Sequence, residues 1–382
     1  MRSYRSGPRA VALALLVLSL LPALSAQESS LAAPGTTRSL DFYVCEHGIT
    51  VDVLDAWPGA APQSYTLVRH DDPVPEDPLV DAVIRVPVRR IVSLATPVLA
   101  HLEALDAAGR LVGIDSGDYV YSAEIRRRVA NGEITELGAG AQLDLERLIA
   151  LQPDVVLMSV YAPDDPTLAR IRAAGIPVVV FADWREADPL ARAEWVRLVG
   201  LLVERDRTAR RIMDTRRGAY AELRERVADA LEADGGPRPT VMTNAPWQGS
   251  WPVPAGESYM ARLLADAGAR YLWAETEGSG SVFLDLEAVL GRAADADLWI
   301  NGNAGWRSLA DLRASDPRLT AFAPYRRATV YHYNRRVRDS GANDFWESGA
   351  TRPDLLLADL VRILHPGILP DHELVYYRRL AR

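Results

Sequence analysis

The sequence predicts an α/β chain of two lobes joined by one long helix, with a small β extension ahead of the first lobe. Three observations carry that expectation. Short apolar strands alternate with capped helices over residues 89–186 and again over 234–366, the alternation that builds parallel sheets covered by helices. Between the two stretches, residues 187–233 keep one helical period throughout. Residues 27–88 instead carry β-branched and aromatic runs separated by turn signals.

The elements follow in order. Arg2, Arg5 and Arg9 precede an apolar run from Val11 to Leu21, and Ala23, Ser25 and Ala26 offer a small-residue cleavage site. Residues 1–26 therefore read as a secretory leader, too short in its apolar part to span a bilayer. An uncleaved anchor is the alternative. In the extension, Leu40 to Val44, Ile49 to Leu54 and Tyr65 to Val68 read as strands, with Trp57-Pro58-Gly59 as a turn. Cys45 is the only cysteine. It can make no internal disulfide and hold no iron–sulfur cluster, and a buried, inert thiol is expected.

The first lobe opens with a strand from Ile91 to Leu94. Thr96-Pro97 should then start a helix, with a hydroxyl cap and proline in the first turn. Leu111 to Ile114 is the next strand, Ser122 to Ala130 a short helix, and Asp144 caps another helix that Pro153 stops. Val155 to Val160 is wholly apolar, as buried parallel strands are. Leu168 to Ala174 and Val178 to Phe181 complete the unit.

From about Pro189 to Leu231 the residues Trp195, Leu198, Leu202, Ala209, Ile212, Tyr220, Leu223, Val227 and Leu231 recur mostly at steps of three or four. They give one apolar face along an uninterrupted helix of roughly 60 Å. A helix several times the ordinary length reads as a spine between lobes. In the second lobe, strands are expected at Thr240 to Met242, Tyr271 to Trp273, Leu298 to Ile300 and Thr329 to Tyr333. Helices are expected at Tyr259 to Ala267, Leu286 to Leu290 and Pro353 to Leu364, and residues 367–382 form a tail.

Composition narrows the chemistry. All 43 basic residues are arginine, so any phosphate loop or Schiff base that needs a lysine is excluded. A net charge of −8 without a basic run argues against nucleic acid. Asp115-Ser116-Gly117 and Asp339-Ser340-Gly341 resemble aspartic-protease turns, but those need a β-rich fold and a shared proton. Gly138-Ala139-Gly140 lacks the third glycine of a dinucleotide fingerprint. No two of the six histidines stand at metal-ligand spacing, although His101 and His332 could meet in space.

Aromatic residues mark the candidate site. Ligands bind outside the carboxyl ends of strands in open α/β sheets, and large rings there offer flat apolar surface. Trp247, Trp251, Trp306 and Trp346 fall in expected loops of the second lobe, while Trp273 and Trp299 fall in strands and read as core. Tyr119, Tyr121 and Tyr161 follow strands of the first lobe, and Tyr259 opens a helix of the second. Among Arg307, Arg336 and Arg352, Arg352 joins the candidate set as a fork-shaped donor to an anionic ligand.

The stretch from Arg89 to Leu364 resembles the iron-complex and cobalamin solute-binding proteins of ABC importers. Arg90-Ile91-Val92-Ser93-Leu94 is similar to the family's opening strand, and residues Leu143 to Val156 are similar to its most recognisable motif. Residues Asn343 to Gly349, followed by Arg352-Pro353-Asp354-Leu355, resemble the branch associated with iron-complex transport. The resemblance implies two Rossmann-like lobes on a rigid helical spine, a periplasmic location, and no catalytic residue or resident cofactor. It also implies docking on a permease dimer through Glu146 and Glu287, which sit in identical Leu-Asp-Leu-Glu tetrapeptides, one per lobe. An acid in a first helical turn is also favoured by the helix dipole alone. The β extension departs from the minimal family fold.

The expected function is therefore capture of a ferric siderophore or similar iron complex and its delivery to the permease, by a monomer. Cobalamin or haem is the alternative cargo. A metal-dependent enzyme or a signalling receptor on the same fold is the alternative class.

Overall fold

A computed structural model describes residues 37, 39–45, 48–74 and 80–382. The leader expected over 1–26 lies outside the described residues. The extension forms β1 (Leu40–Cys45), β2 (Gly48–Val53), β3 (Gln63–Arg69) and β4 (Ala82–Val86) in the order β1-β2-β3-β4. The first three strands pair antiparallel, and β4 joins β3 in parallel. Cys45 is half-buried at the end of β1, where the Thr50 hydroxyl meets its sulfur at 3.6 Å. The expected burial of this thiol is corrected: its strand is the sheet's edge.

The first lobe comprises β5 (Ile91–Leu94), α1 (Thr96–Ala104), β6 (Leu111–Ile114), α2 (Ala123–Ala130), β7 (Thr135–Glu136), α3 (Leu145–Ala150), β8 (Val155–Met158), α4 (Pro166–Ala173) and β9 (Val178–Val180). Its five-stranded parallel sheet has the order β7-β6-β5-β8-β9. Each strand pair encloses a helix, and every residue of β8 and β9 is buried. Most helix starts read from sequence hold: Ser122 accepts the Ile125 N–H and Asp144 the Arg147 N–H. At α1 the cap position belongs to Ala95 and makes no side-chain bond; Thr96 is already the first helical residue.

The expected uninterrupted helix is three helices: α5 (Pro189–Glu194), α6 (Val196–Leu202) and α7 (Asp206–Asp234). The apolar period runs through the break, which is why sequence hides it. Glu204 adopts φ 55° and turns the chain. Gly200 makes the turn possible, because a Cβ there would stand 2.9 Å from the Ala209 Cβ. All seven residues of α6 are buried, so α6 is a core helix and not a span of the spine.

The spine is α7, 29 residues or about 43 Å long. Ala209 and Met213 at its start belong to the first lobe's core, and Tyr220, Leu223 and Val227 to the second's. It ends at Gly235, whose φ of 61° is the left-handed close that glycine adopts freely.

The second lobe adds β10 (Thr240–Thr243), β11 (Trp251–Pro254), α8 (Tyr259–Asp266), β12 (Arg270–Tyr271), β13 (Ser281–Leu284), α9 (Leu286–Ala293), β14 (Leu298–Ile300), α10 (Leu309–Ser315), α11 (Ala323–Arg327), β15 (Val330–His332), α12 (Pro353–Leu364) and β16 (Arg378–Arg379). The sheet runs β12-β10-β14-β15-β16, and β11 and β13 form a separate antiparallel pair. The expected tail is not a free one: β16 pairs antiparallel with β15, Tyr331 opposite Arg379. Asp359, fully buried on α12, anchors the tail by accepting the N–H groups of Val375, Tyr376 and Tyr377.

Candidate ligand cleft between the lobes

Loops leaving the carboxyl ends of strands in both sheets meet across the chain. After β9, the sequence Asp183-Trp184-Arg185 folds into one 3-10 turn. Trp184, Arg185 and Glu186 line a cavity of about 350 Å³ opposite Pro254, Ser258, Tyr259, Met260 and the Ser279–Ser281 segment of the second lobe. Tyr161, which follows β8, lays its ring 5.0 Å from that of Trp184. The Arg185 guanidinium stands 5.3 Å from the Trp184 ring centre, within cation–π range. Tyr161 itself is 67% exposed. This wall combines two flat rings with one cation.

Behind the wall lies a buried ion pair. Arg192 on α5 donates to Asp183 at 2.8 Å, and its guanidinium sits 5.3 Å from the ring of Tyr259. Burial works against the Arg192 charge, but Asp183 together with the Tyr259 and Tyr161 phenols outweighs it and raises the pKa of the guanidinium. Burial pushes the Tyr259 hydroxyl up to about 12. Tyr259 is therefore held between Arg192 and the cavity by packing from both lobes.

A second set of contacts clasps the lobes together. Glu347, almost fully buried in the loop after β15, accepts the N–H groups of Tyr121 and Ser122 at 2.7 and 2.9 Å. These two residues lead into α2, so an acid of one lobe caps a helix of the other. Arg338 donates to the carbonyls of Gly117 and Val120, and the Ser340 hydroxyl to that of Asp118. The two Asp-Ser-Gly turns thus meet as a lobe contact. Arg336 stands 5.3 Å over the Tyr121 ring and reaches Asp344 at 2.9 Å. Burial pushes the Glu347 carboxyl up to about 7, against the two backbone donors that favour its charge.

The sequence candidates divide accordingly. Tyr259 lines the cavity, and Tyr161 stands beside it, its ring against that of Trp184. Trp247 and Trp346 are exposed on loops of the second lobe at 61% and 45%, with Trp346 propped against Phe345 and Tyr333. Tyr119 is exposed beside the clasp, and Tyr121 is engaged within it. Arg352 forks onto Asp354 at the start of α12, at 2.9 and 2.7 Å.

Two placements are corrected. Trp251 lies in β11, not a loop, 1% exposed, donating its indole N–H to the Thr243 carbonyl and packing on Trp299 and Phe322. Trp306 does follow β14, but it is buried edge-on against Trp299. Both rings hold the second lobe's core. Trp273, expected in a strand, falls just beyond β12 and is buried as expected of core. His101 packs on Phe181 and His332 on Tyr333, each within its own lobe. Among the described residues no group of three or more His, Cys, Asp or Glu is placed to hold a metal ion.

Trp184, Arg185 and Glu347 were not among the sequence candidates. The rule that selects residues just after strands selects Trp184 as readily as Trp247. Glu347 lies inside the Asn343–Gly349 motif but carries no spacing signal of its own.

Glu146 and Glu287 are both exposed in the first turns of α3 and α9, behind the capping carboxylates of Asp144 and Asp285.

Two α/β lobes on a shared helix, with a cleft at their strand ends, define a two-lobed binding protein. Residues 91–334 match the family model described as periplasmic binding protein, and the chain belongs to that family. An uncharacterised lipoprotein of Methanocaldococcus jannaschii is 26% identical over 320 residues, 80% of this chain and 73% of that one. A periplasmic haem-binding protein of Pseudomonas aeruginosa superposes with a TM-score of 0.56 at 20% identity, over 73% of this chain and 94% of that one. The molybdate-binding protein MolA of Haemophilus influenzae gives a TM-score of 0.56 at 20% identity, over 75% and 89% of the two chains.

Proposed function

We propose that this chain is the solute-binding component of an ABC importer and that it captures a ferric siderophore or similar iron complex between its lobes. The carrying observation is the Tyr161–Trp184–Arg185 wall facing the second lobe across a cavity of about 350 Å³. Such pockets bind by apolar contact, with a few polar groups fixing orientation. Two flat rings beside an arginine already paired with Asp55 suit a flat or macrocyclic ligand held mainly by stacking.

Haem is the second reading. Exposed Tyr161 offers a phenol that could reach a metal from the rim, and the structurally similar protein from Pseudomonas aeruginosa is a haem binder. Glu146 and Glu287, one per lobe, are assigned to docking on a two-fold permease, with export guided by residues 1–26. No catalytic step is assigned to the chain.

Titration of the protein with ferric hydroxamates, hemin and cobalamin, followed by tryptophan fluorescence, tests the reading. Quenching by a ferric hydroxamate, weakened in Trp184→Ala, supports it, and quenching by hemin alone favours the second reading. Binding of all three with affinity unchanged in that variant places the site elsewhere.

A further inference from the structure

We infer that the N-terminal β sheet is a brace for the cleft wall, in which Asp55 and Tyr65 are positioning residues for Trp184 and Arg185. This inference rests on reading the cleft as the ligand site. The sheet precedes the stretch that matches the family, 91–334, so the family match gives it no role.

The contacts converge on one segment. β9 is the outer strand of the first lobe's sheet. An outer strand leaves backbone N–H groups without a strand partner. The Val180 N–H donates to the hydroxyl of Tyr65, a fully buried residue of β3, at 3.0 Å. Five residues on, the Arg185 guanidinium donates twice to one oxygen of Asp55, at 3.1 and 2.6 Å. Asp55 stands in the connection between β2 and β3. Next in the chain, buried Glu186 accepts the Ser39 N–H at 3.2 Å and the Trp195 indole N–H at 3.2 Å. The extension therefore grips residues 180, 185 and 186, on both sides of Trp184.

The consequence reaches the cavity. With its guanidinium tied to Asp55, Arg185 holds one station over Trp184, and Trp184 holds Tyr161. A 3-10 turn of three residues fixes little by itself, because each residue ordered costs conformational entropy for few bonds. Its order is supplied from outside. A site preorganised in this way does not lose binding energy to ordering its own wall.

Hydrogen exchange of the full chain, read on peptides covering 181–188, tests the brace directly. Asp55→Ala should speed exchange there by up to about fivefold, the scale of one partly exposed ion pair. Tyr65→Phe should speed it further, since the Val180 N–H is then buried without an acceptor. Arg85→Met is the control: it removes bonds within the extension to the Arg69 and Asp72 carbonyls and should leave 181–188 unchanged. Hemin and a ferric hydroxamate serve as probes, and whichever the wild type binds should bind severalfold more weakly to Asp55→Ala.

Unchanged exchange at 181–188 in Asp55→Ala overturns the brace. So does equal acceleration in Arg85→Met, which would mean general loosening, and so does faster exchange with wild-type probe affinity. If the wild type binds neither probe, the ligand class proposed above is wrong, and the exchange result still decides the brace.

Discussion

The clasp at Glu347 makes lobe stability depend on pH. Burial raises this carboxyl from the usual 4.5 to about 7. Its folded pKa lies above its unfolded one, so its contribution to stability is complete below pH 4.5 and is lost as pH rises through 7. Between pH 5 and pH 8 the loss at this single site is about 2–3 kcal/mol. Glu347→Gln removes the titration while keeping one oxygen for the Tyr121 or Ser122 N–H. Other groups shift the absolute curve, but they cancel when variant and wild type are compared. Denaturant unfolding at the two pH values is the assay. The wild type should lose about 2–3 kcal/mol more than the variant on going to the higher pH. Parallel losses in the two proteins would refute the buried, charge-penalised clasp.

Other expectations separate cleft from core and ligand from partner. Trp184→Ala should weaken ligand binding with little change in unfolding temperature. Trp251→Ala should instead cost about 3–5 kcal/mol of stability, measured by denaturant unfolding, because its ring packs on Trp299 and Phe322. Because α7 contributes to both cores, small-angle scattering should show little decrease in radius of gyration on adding ligand; a hinge-sized decrease would count against the spine. Glu146→Arg with Glu287→Arg should abolish uptake by the reconstituted importer while ligand affinity stays at the wild-type level. Transport at the normal rate would remove both acids from the docking surface.

Local chemistry carried much of the fold into view. Apolar runs such as Val155 to Met158 announce a strand buried on both faces, and side-chain caps at Ser122, Asp144 and Asp285 announce helix starts. What stayed hidden depends on tertiary contact. The α6–α7 turn needs Gly200 against Ala209, a close approach that no periodicity reports. The β11–β13 pair joins residues some thirty positions apart, Trp251 with Leu284, and so Trp251 reads as a loop ring when taken alone. The tail's short strand forms beside β15 while Asp359 holds the N–H groups just before it, contacts that lie far apart in sequence.

The strand-end rule located Tyr161 and Trp247 correctly in loops, yet it says nothing of depth, and Trp306 is buried where the rule leaves it free. Pairings across more than a hundred residues lie beyond local pattern, as with Asp55 and Arg185 or Glu347 and Tyr121.

We propose that an iron complex sits against the Tyr161–Trp184 wall. Its most direct test is the iron retained after the protein is mixed with ferric chelates and hemin and passed over a desalting column, wild type beside the Tyr161→Ala, Trp184→Ala double variant. The expected result is close to one iron per wild-type chain for one of the complexes and a large fall in the folded double variant. Equal retention by both proteins, or none by the wild type for any complex offered, would contradict it.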